Sequence, residues 1–160
     1  MKAFIKILVA TVFAGVFAIS FTGSALAVEH GSAQEATDLV KKVITYYKAN
    51  GKEKTFAEIN DPKGQFLVKD LYIFAGTVKG GGPTLAHGAN PKLIGKSLGE
   101  LKDVDGVFFV RKMTEVAASK EGKGWVDYKW PNPITKVLEQ KSTYVERVDD
   151  LYFACGIYKG

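Results

Sequence analysis

The chain has 160 residues, of which 46% are hydrophobic and 24% charged; this composition is typical of a globular protein and excludes a disordered or collagen-like chain. The net charge of +5 is spread along the sequence without a run of lysines or arginines, so we expect no nucleic-acid partner. A single cysteine, Cys155, excludes an intramolecular disulfide and any CxxC metal or redox motif.

Residues 1–27 have the pattern of a secretory signal peptide. Lys2 and Lys6 precede a charge-free apolar run over residues 7–21, and small residues in Ser24-Ala25-Leu26-Ala27 stand before a cut after Ala27. The alternative is an uncleaved membrane anchor, which needs about 20 apolar residues. We therefore expect residues 28–160 to form one soluble domain that is periplasmic or secreted.

Residues 32–50 predict an amphipathic helix. A capping box, Ser32 to Glu35, precedes apolar side chains at helical spacing, and Gly51 follows as a stop signal. The pattern of Thr55 to Glu58 predicts a second capping box that opens a short helical turn. We expect the first helix to pack on the back of a sheet by one apolar stripe, formed by Ala36, Val40, Val43 and Tyr47.

After residue 65 the hydrophobic period changes from that of a helix to that of strands. Residues 80–83, Gly-Gly-Gly-Pro, predict a hairpin turn, and a helix is expected from Asp105-Gly106 to about Gly122. Strands are predicted over residues 66–68, 71–78, 84–87, 125–130, 137–148 and 151–158. Short turns between adjacent strands favour antiparallel pairing, so the sequence predicts an α+β, PAS-like fold.

Five segments carry a resemblance to a known family, the single Cache domain family, type 2. They are Asp70-Leu-Tyr-Ile-Phe74, Leu85-Ala-His-Gly-Ala-Asn-Pro91 with Gly95, Gly124-Trp-Val-Asp-Tyr-Lys-Trp-Pro-Asn-Pro133, Lys141-Ser-Thr-Tyr144 and Gly156-Ile-Tyr158. The resemblance implies a long N-terminal helix on a five- to six-stranded antiparallel sheet, with a helix inserted between strands two and three. It also implies an extracytoplasmic sensor module for small ligands, often short carboxylates, whose partner is a membrane-bound chemoreceptor or histidine kinase.

Candidate ligand-binding residues follow from what a carboxylate needs, which is a cation or several directed donors beside apolar walls. Alternation along the strand over residues 125–130 puts Tyr128 and Trp130 on one face. Tyr144 on the next strand is expected beside Tyr128. Lys141 points the opposite way from Tyr144 in a regular strand, so both reach one ligand only through a bulge. The alternative for each ring is packing in the core.

Two further side chains are candidates. Arg111 lies near the start of the helix that covers the sheet and could clamp a carboxylate; its alternative is a surface pair with Glu115. His87 could donate to a ligand or respond to pH, and its alternative is a hydrogen bond within its loop. We expect the ligand between the helix over residues 105–122 and the sheet face that carries Tyr128 and Trp130.

No cofactor, metal site or enzymatic activity is expected. The histidines and the cysteine are widely separated, and Asp103-Val-Asp105-Gly106 fits a helix N-cap better than a calcium loop. No motif of a hydrolase, zinc protease or phosphate-binding loop occurs. Two alternatives to the sensor interpretation remain: a protein–protein interaction module without a small ligand and, less favoured, a secreted enzyme.

Overall fold

The computed structural model describes residues 29–80 and 82–159. The proposed signal peptide, residues 1–27, lies outside the described residues. The helices are α1 (Ala33–Asn60) and α2 (Phe109–Ala118), and a 3-10 turn covers Pro91–Leu93. The strands are β1 (Leu67–Val68), β2 (Leu71–Thr77), β3 (Ala86–His87), β4 (Lys123–Pro131), β5 (Leu138–Val148) and β6 (Leu151–Lys159). Among the described residues, no helix has both the length and the apolar character needed to cross a membrane.

Helix α1 begins as predicted and is broken once. The Ser32 side chain accepts from the Glu35 N–H while Glu35 accepts from the Ser32 N–H, which confirms the first capping box. Gly51, with φ of 78°, breaks the helix at the predicted stop, and the helix then resumes at once. The second capping box is wrong: Thr55 lies inside the resumed helix, where its hydroxyl donates to the Gly51 carbonyl at 2.7 Å.

Six antiparallel strands form the sheet, in the order β1-β2-β6-β5-β4. The short strand β3 also pairs with β2, at residues 74 and 75, beyond the residues that pair with β1. This confirms the predicted α+β, PAS-like architecture. Helix α2 lies between β3 and β4. Three strands, β1, β2 and β3, precede it in the chain, so it follows the third strand and not, as had been expected, the second.

Helix α1 covers one side of the sheet, which we call the back face. Ala36, Val40 and Val43 are fully buried there, and Tyr47 packs its ring 5.6 Å from that of Phe153. The predicted stripe therefore does pack on the sheet. Cys155 is also buried on this face, and burial raises the pKa of its thiol to about 12, so the thiol stays protonated and unreactive.

Helix α2 covers the opposite side of the sheet, which we call the front face. Phe109, Met113 and Ala117 are buried against it. The helix begins at residue 109, later than predicted. Asp103 is not its N-cap, as the sequence suggested: its carboxylate accepts from the backbone N–H groups of Asp105, Val107 and Lys129 and thereby orders the loop before α2.

Candidate functional site

A cavity of about 40 Å³ lies between α2 and the front face of the sheet. A ligand was expected here, because the alternation of residues 125–130 puts Tyr128 and Trp130 together and the family resemblance implies a pocket on that side. Helix α2 contributes Phe109, Val110 and Thr114 to its wall, and the loop after β2 contributes residues 82–84. The sheet contributes Tyr72, Phe74, Gly76, Tyr128, Trp130 and Tyr152.

Stacked aromatic rings form one wall of the cavity. The rings of Phe109 and Tyr128 lie parallel with centroids 4.5 Å apart, and Trp130 meets Phe109 edge-on at 5.2 Å. The Tyr128 hydroxyl forms a 3.0 Å hydrogen bond with that of Thr143. Because its hydroxyl is already bonded within the sheet, Tyr128 contributes mainly its ring to the cavity.

His87 and Tyr72 stand between the cavity and a more open groove. This outer groove, of about 280 Å³, shares Tyr72, His87 and Trp130 with the cavity and is bounded outside by residues 131–133 and Lys136. The His87 ring lies 5.1 Å from that of Tyr72 and stacks on that of Phe74 at 5.6 Å. Tyr72, His87 and Trp130 therefore form a wall common to the two spaces.

Hydrogen bonds fix the His87 tautomer. Its Nδ1 accepts from the backbone N–H groups of Ala89, at 3.3 Å, and Asn90, at 3.0 Å. Burial, together with the charge of Lys141, lowers the pKa of His87 to about 4, so the ring is neutral at physiological pH and carries its hydrogen on Nε2. No described residue accepts from that Nε2–H, which is therefore available to a ligand.

Tyr152 brings a second free donor into the cavity. Its side chain is only 5% exposed, yet no hydrogen bond from any described residue reaches its hydroxyl; burial alone raises its pKa to about 12. The hydroxyl retains surface that is open to the cavity. Its tip lies over Gly76, where a Cβ atom would be 2.5 Å from the hydroxyl oxygen. Gly76 therefore makes room for this group.

Lys141 lies fully buried on the front face, directly opposite Tyr128 in the register of β4 and β5. Its Nζ donates to the hydroxyls of Tyr72, at 2.6 Å, and Tyr158, at 3.2 Å, and sits 4.1 Å from the centre of the Tyr72 ring. Its side chain crosses β6 at Gly156, where a Cβ atom would lie 2.1 Å from the lysine Cε. Burial lowers the pKa of Lys141 to about 7. The lysine stands behind Tyr72 and does not line the cavity itself.

Two of the predicted site residues lie elsewhere. Tyr144 pairs with Trp125 in the register of β4 and β5, faces the back of the sheet and donates to Glu146 at 2.7 Å, so its predicted place beside Tyr128 is wrong. Arg111 lies at the surface, where it pairs with Glu100 rather than Glu115 and donates to the Gly99 carbonyl at 3.0 Å.

The site has a clear electrostatic character. Of the residues that the structure describes, no aspartate or glutamate lines either the cavity or the outer groove, whereas Lys136 borders the groove and Lys141 lies behind Tyr72. Within residues 29–80 and 82–159, no cluster of three or more His, Cys, Asp or Glu side chains could hold a metal ion. A small anion is therefore better matched to this site than a cation.

Sequence reasoning missed Tyr72, Tyr152 and Phe109. Both tyrosines stand in strands that are buried on the two faces, where residues 71–76 and 151–156 are buried without interruption. Such strands show no apolar–polar alternation from which a face could be assigned. Phe109 carries a signal that could have been used, because it is the first of the apolar side chains at helical spacing in α2.

A helix-backed antiparallel sheet with a small cavity under a second helix defines a PAS-like sensor domain. The chain belongs to the family described as Single Cache domain 2, whose sequence profile matches residues 24–158. Domains of this family are extracytoplasmic ligand-sensing modules, which is consistent with the expectation that the protein is not an enzyme.

Three solved structures with the same fold are of chemotaxis proteins or a chemosensory domain. A methyl-accepting chemotaxis protein from Vibrio parahaemolyticus RIMD 2210633 is similar with a TM-score of 0.67 and 23% identity, over 78% of this chain and 86% of that one. The periplasmic sensor domain of a chemotaxis protein has a TM-score of 0.60 and 18% identity, over 79% and 90%. A Cache chemosensory domain described for carboxylic acid recognition has a TM-score of 0.60 and 24% identity, over 79% and 88%.

Proposed function

We propose that this domain binds a short organic acid reversibly in the cavity between α2 and the front face, outside the cytoplasm. The observation that carries the proposal is the cavity itself: it is small, has aromatic and aliphatic walls, and contains two donors, Tyr152 Oη and His87 Nε2, that no described residue uses. Binding needs no cofactor.

The size of the cavity limits the ligand. One water molecule needs about 10–15 Å³ of such volume, so 40 Å³ holds about three to four water-sized groups. This suits a molecule such as acetate or propionate. A ligand of four or five non-hydrogen atoms gains at most about 1.5 kcal/mol per atom, so its affinity should be no tighter than micromolar.

The donors and charges favour a carboxylate over an amine. Neutral His87, Tyr152 and the Lys141–Tyr72 pair all offer hydrogens or positive charge, and a carboxylate oxygen accepts several such bonds. An ammonium group would find no acidic side chain among the described residues of the cavity wall. Amines and amino acids are therefore expected to bind poorly.

An interaction module that binds no small ligand is the second candidate. It would require the front face to be filled by its own aromatic side chains. The cavity and the unused Tyr152 hydroxyl favour ligand binding over this alternative.

The proposal also covers how the protein is exported from the cytoplasm and which kind of protein receives its signal. Residues 1–27 act as a signal peptide that is cleaved after Ala27, and the ligand state of the domain is passed to a separate membrane-bound chemoreceptor or histidine kinase. Mass spectrometry of the protein recovered from the periplasm or medium tests the first point: a mass that includes residues 1–27 would contradict cleavage.

A thermal-shift screen at millimolar concentration tests the ligand class. Acetate and propionate should raise the melting temperature by several degrees, because a ligand at 100 times its Kd adds about 2.7 kcal/mol to stability. Size-matched neutral acetamide and cationic ethylamine are the controls. A shift of equal size with acetamide would contradict recognition of the negative charge.

Two tyrosine variants then locate the site. Tyr152→Phe removes the free hydroxyl, and a lost hydrogen bond to a charged ligand should cost about 1.5–3 kcal/mol, or tenfold and more in affinity. Tyr144→Phe removes a hydroxyl from the back face and should leave affinity unchanged. Equal affinities of Tyr152→Phe and the wild type would place the ligand elsewhere.

A further inference from the structure

Lys141 is a buried amine without an acidic partner among the described residues. Its exposed fraction is 0%, and it forms no ion pair with any residue between 29 and 159 that the structure describes. The buried carboxylate of Asp70 is already bound by His30 Nδ1 and the Gly31 N–H, each at 2.7 Å. A charged ammonium in such surroundings is costly unless an anion is supplied.

Lys141 is connected to the cavity wall by the hydroxyl of Tyr72, and it also bonds to the hydroxyl of Tyr158. The Tyr158 hydroxyl donates its hydrogen to the Pro131 carbonyl at 3.0 Å, so its oxygen can only accept from Lys141 or Tyr72. An ammonium can only donate, which obliges the Tyr72 oxygen to accept. The Tyr72 hydrogen then has the Tyr158 oxygen, 3.3 Å away, as its acceptor within the protein, and this long contact can be exchanged for a shorter bond to a ligand. A neutral amine has a lone pair that can accept this hydrogen over the same 2.6 Å and withdraw it from a ligand.

We infer that Lys141 takes up a proton from solvent when a short carboxylate binds, so that the Tyr72 hydroxyl donates to the ligand and the affinity rises as the pH falls through neutrality. This inference rests on the proposed function. Lys141 acts through Tyr72 and is a positioning residue. The proton returns to solvent when the ligand leaves, and no covalent bond changes.

The other groups that face Lys141 do not replace this role. Tyr72 on β2, Tyr128 on β4 and Tyr158 on β6 all have pKa values raised by burial and stay protonated near neutrality. Cys155 on β6 is also protonated, and His87 on β3 is neutral above about pH 4. Asp70, in the turn between β1 and β2, is bound by His30 and Gly31. Lys141, with its pKa near 7, is left as the group that changes charge.

Calorimetry with acetate and propionate tests the inference. Titrations in two buffers of different ionisation enthalpy, between about pH 6 and 9, count the protons taken up per ligand. The count should rise from near zero at the acidic end to near one at the alkaline end. The affinity should fall about tenfold for each pH unit above neutrality and stay nearly constant below it.

Lys141→Met should bind both acids weakly and without this pH dependence. The control, Lys159→Met, removes an exposed lysine that pairs with Asp127 and should keep the wild-type profile. If Lys141→Met does not fold, the proton count of the wild type still decides. Binding without proton uptake would overturn this inference alone, whereas no binding of either acid at any pH would overturn the proposed function as well.

Discussion

The buried Lys141 makes a prediction for the ligand-free protein. In the unfolded chain this lysine has its ordinary pKa of 10.5, whereas in the folded protein burial lowers the pKa to about 7. Between about pH 7 and 10.5, Lys141 therefore carries a proton in the unfolded chain and not in the folded protein. The stabilising contribution is therefore complete above pH 10.5 and is lost as the pH falls to about 7.

The expected effect is large enough to measure. One pKa unit corresponds to about 1.4 kcal/mol, so the free energy of unfolding should gain about 3 kcal/mol from Lys141 between about pH 7 and 9.5. Urea unfolding of the wild type and Lys141→Met across this range measures it, since other titrating groups cancel in the difference. Parallel curves for the two proteins would refute the account of a buried, largely neutral lysine.

Three more outcomes are expected from the same physics. Between about pH 6.5 and 4 the wild type should lose roughly 3 kcal/mol, because the folded protein resists protonation of His87, and His87→Asn should remove that loss in urea unfolding. Val43→Asp should lower the free energy of unfolding by several kcal/mol by burying an unpaired charge, whereas Lys42→Asp, at an exposed position of the same helix, should change it little; equal melting temperatures would show that Val43 faces solvent. Gly156→Ala should displace Lys141 and weaken acetate binding in calorimetry, and unchanged binding would contradict the crossing of β6 by that side chain.

Local patterns were sufficient to predict most of the fold. The capping box at Ser32, the glycine at residue 51 and the alternation along residues 125–130 each act through neighbours in the chain, and each feature is present. Thr55 shows the limit of such reasoning. A Thr-x-x-Glu pattern is compatible with a helix start, but Thr55 bonds equally well to the carbonyl four residues earlier once the helix has resumed after Gly51.

The site was harder to predict because it depends on register. Pairing β4 with β5 so that Tyr144 faces the cavity differs by one residue from the observed pairing of Tyr128 with Lys141, and a slip of one residue exchanges the two faces of a strand. The register is set by the length of the turn that connects Pro131 to Leu138, the last pair of the two strands. Residue types alone do not determine that length. The path of Lys141 to Tyr72 also depends on the absent side chain of Gly156, a contact across three strands.

The position of β6 in the sheet has a consequence for how the chain folds during synthesis. β2 and β5 do not pair with each other; they are joined through opposite edges of β6, the last strand described in chain order. Before residues 151–159 leave the ribosome, β2 and the hairpin of β4 and β5 are two separate fragments with unpaired edges. Joining them closes a loop of about 80 residues, which makes folding slow relative to local hairpin formation. The nascent chain therefore stays without its central sheet until its final strand is made.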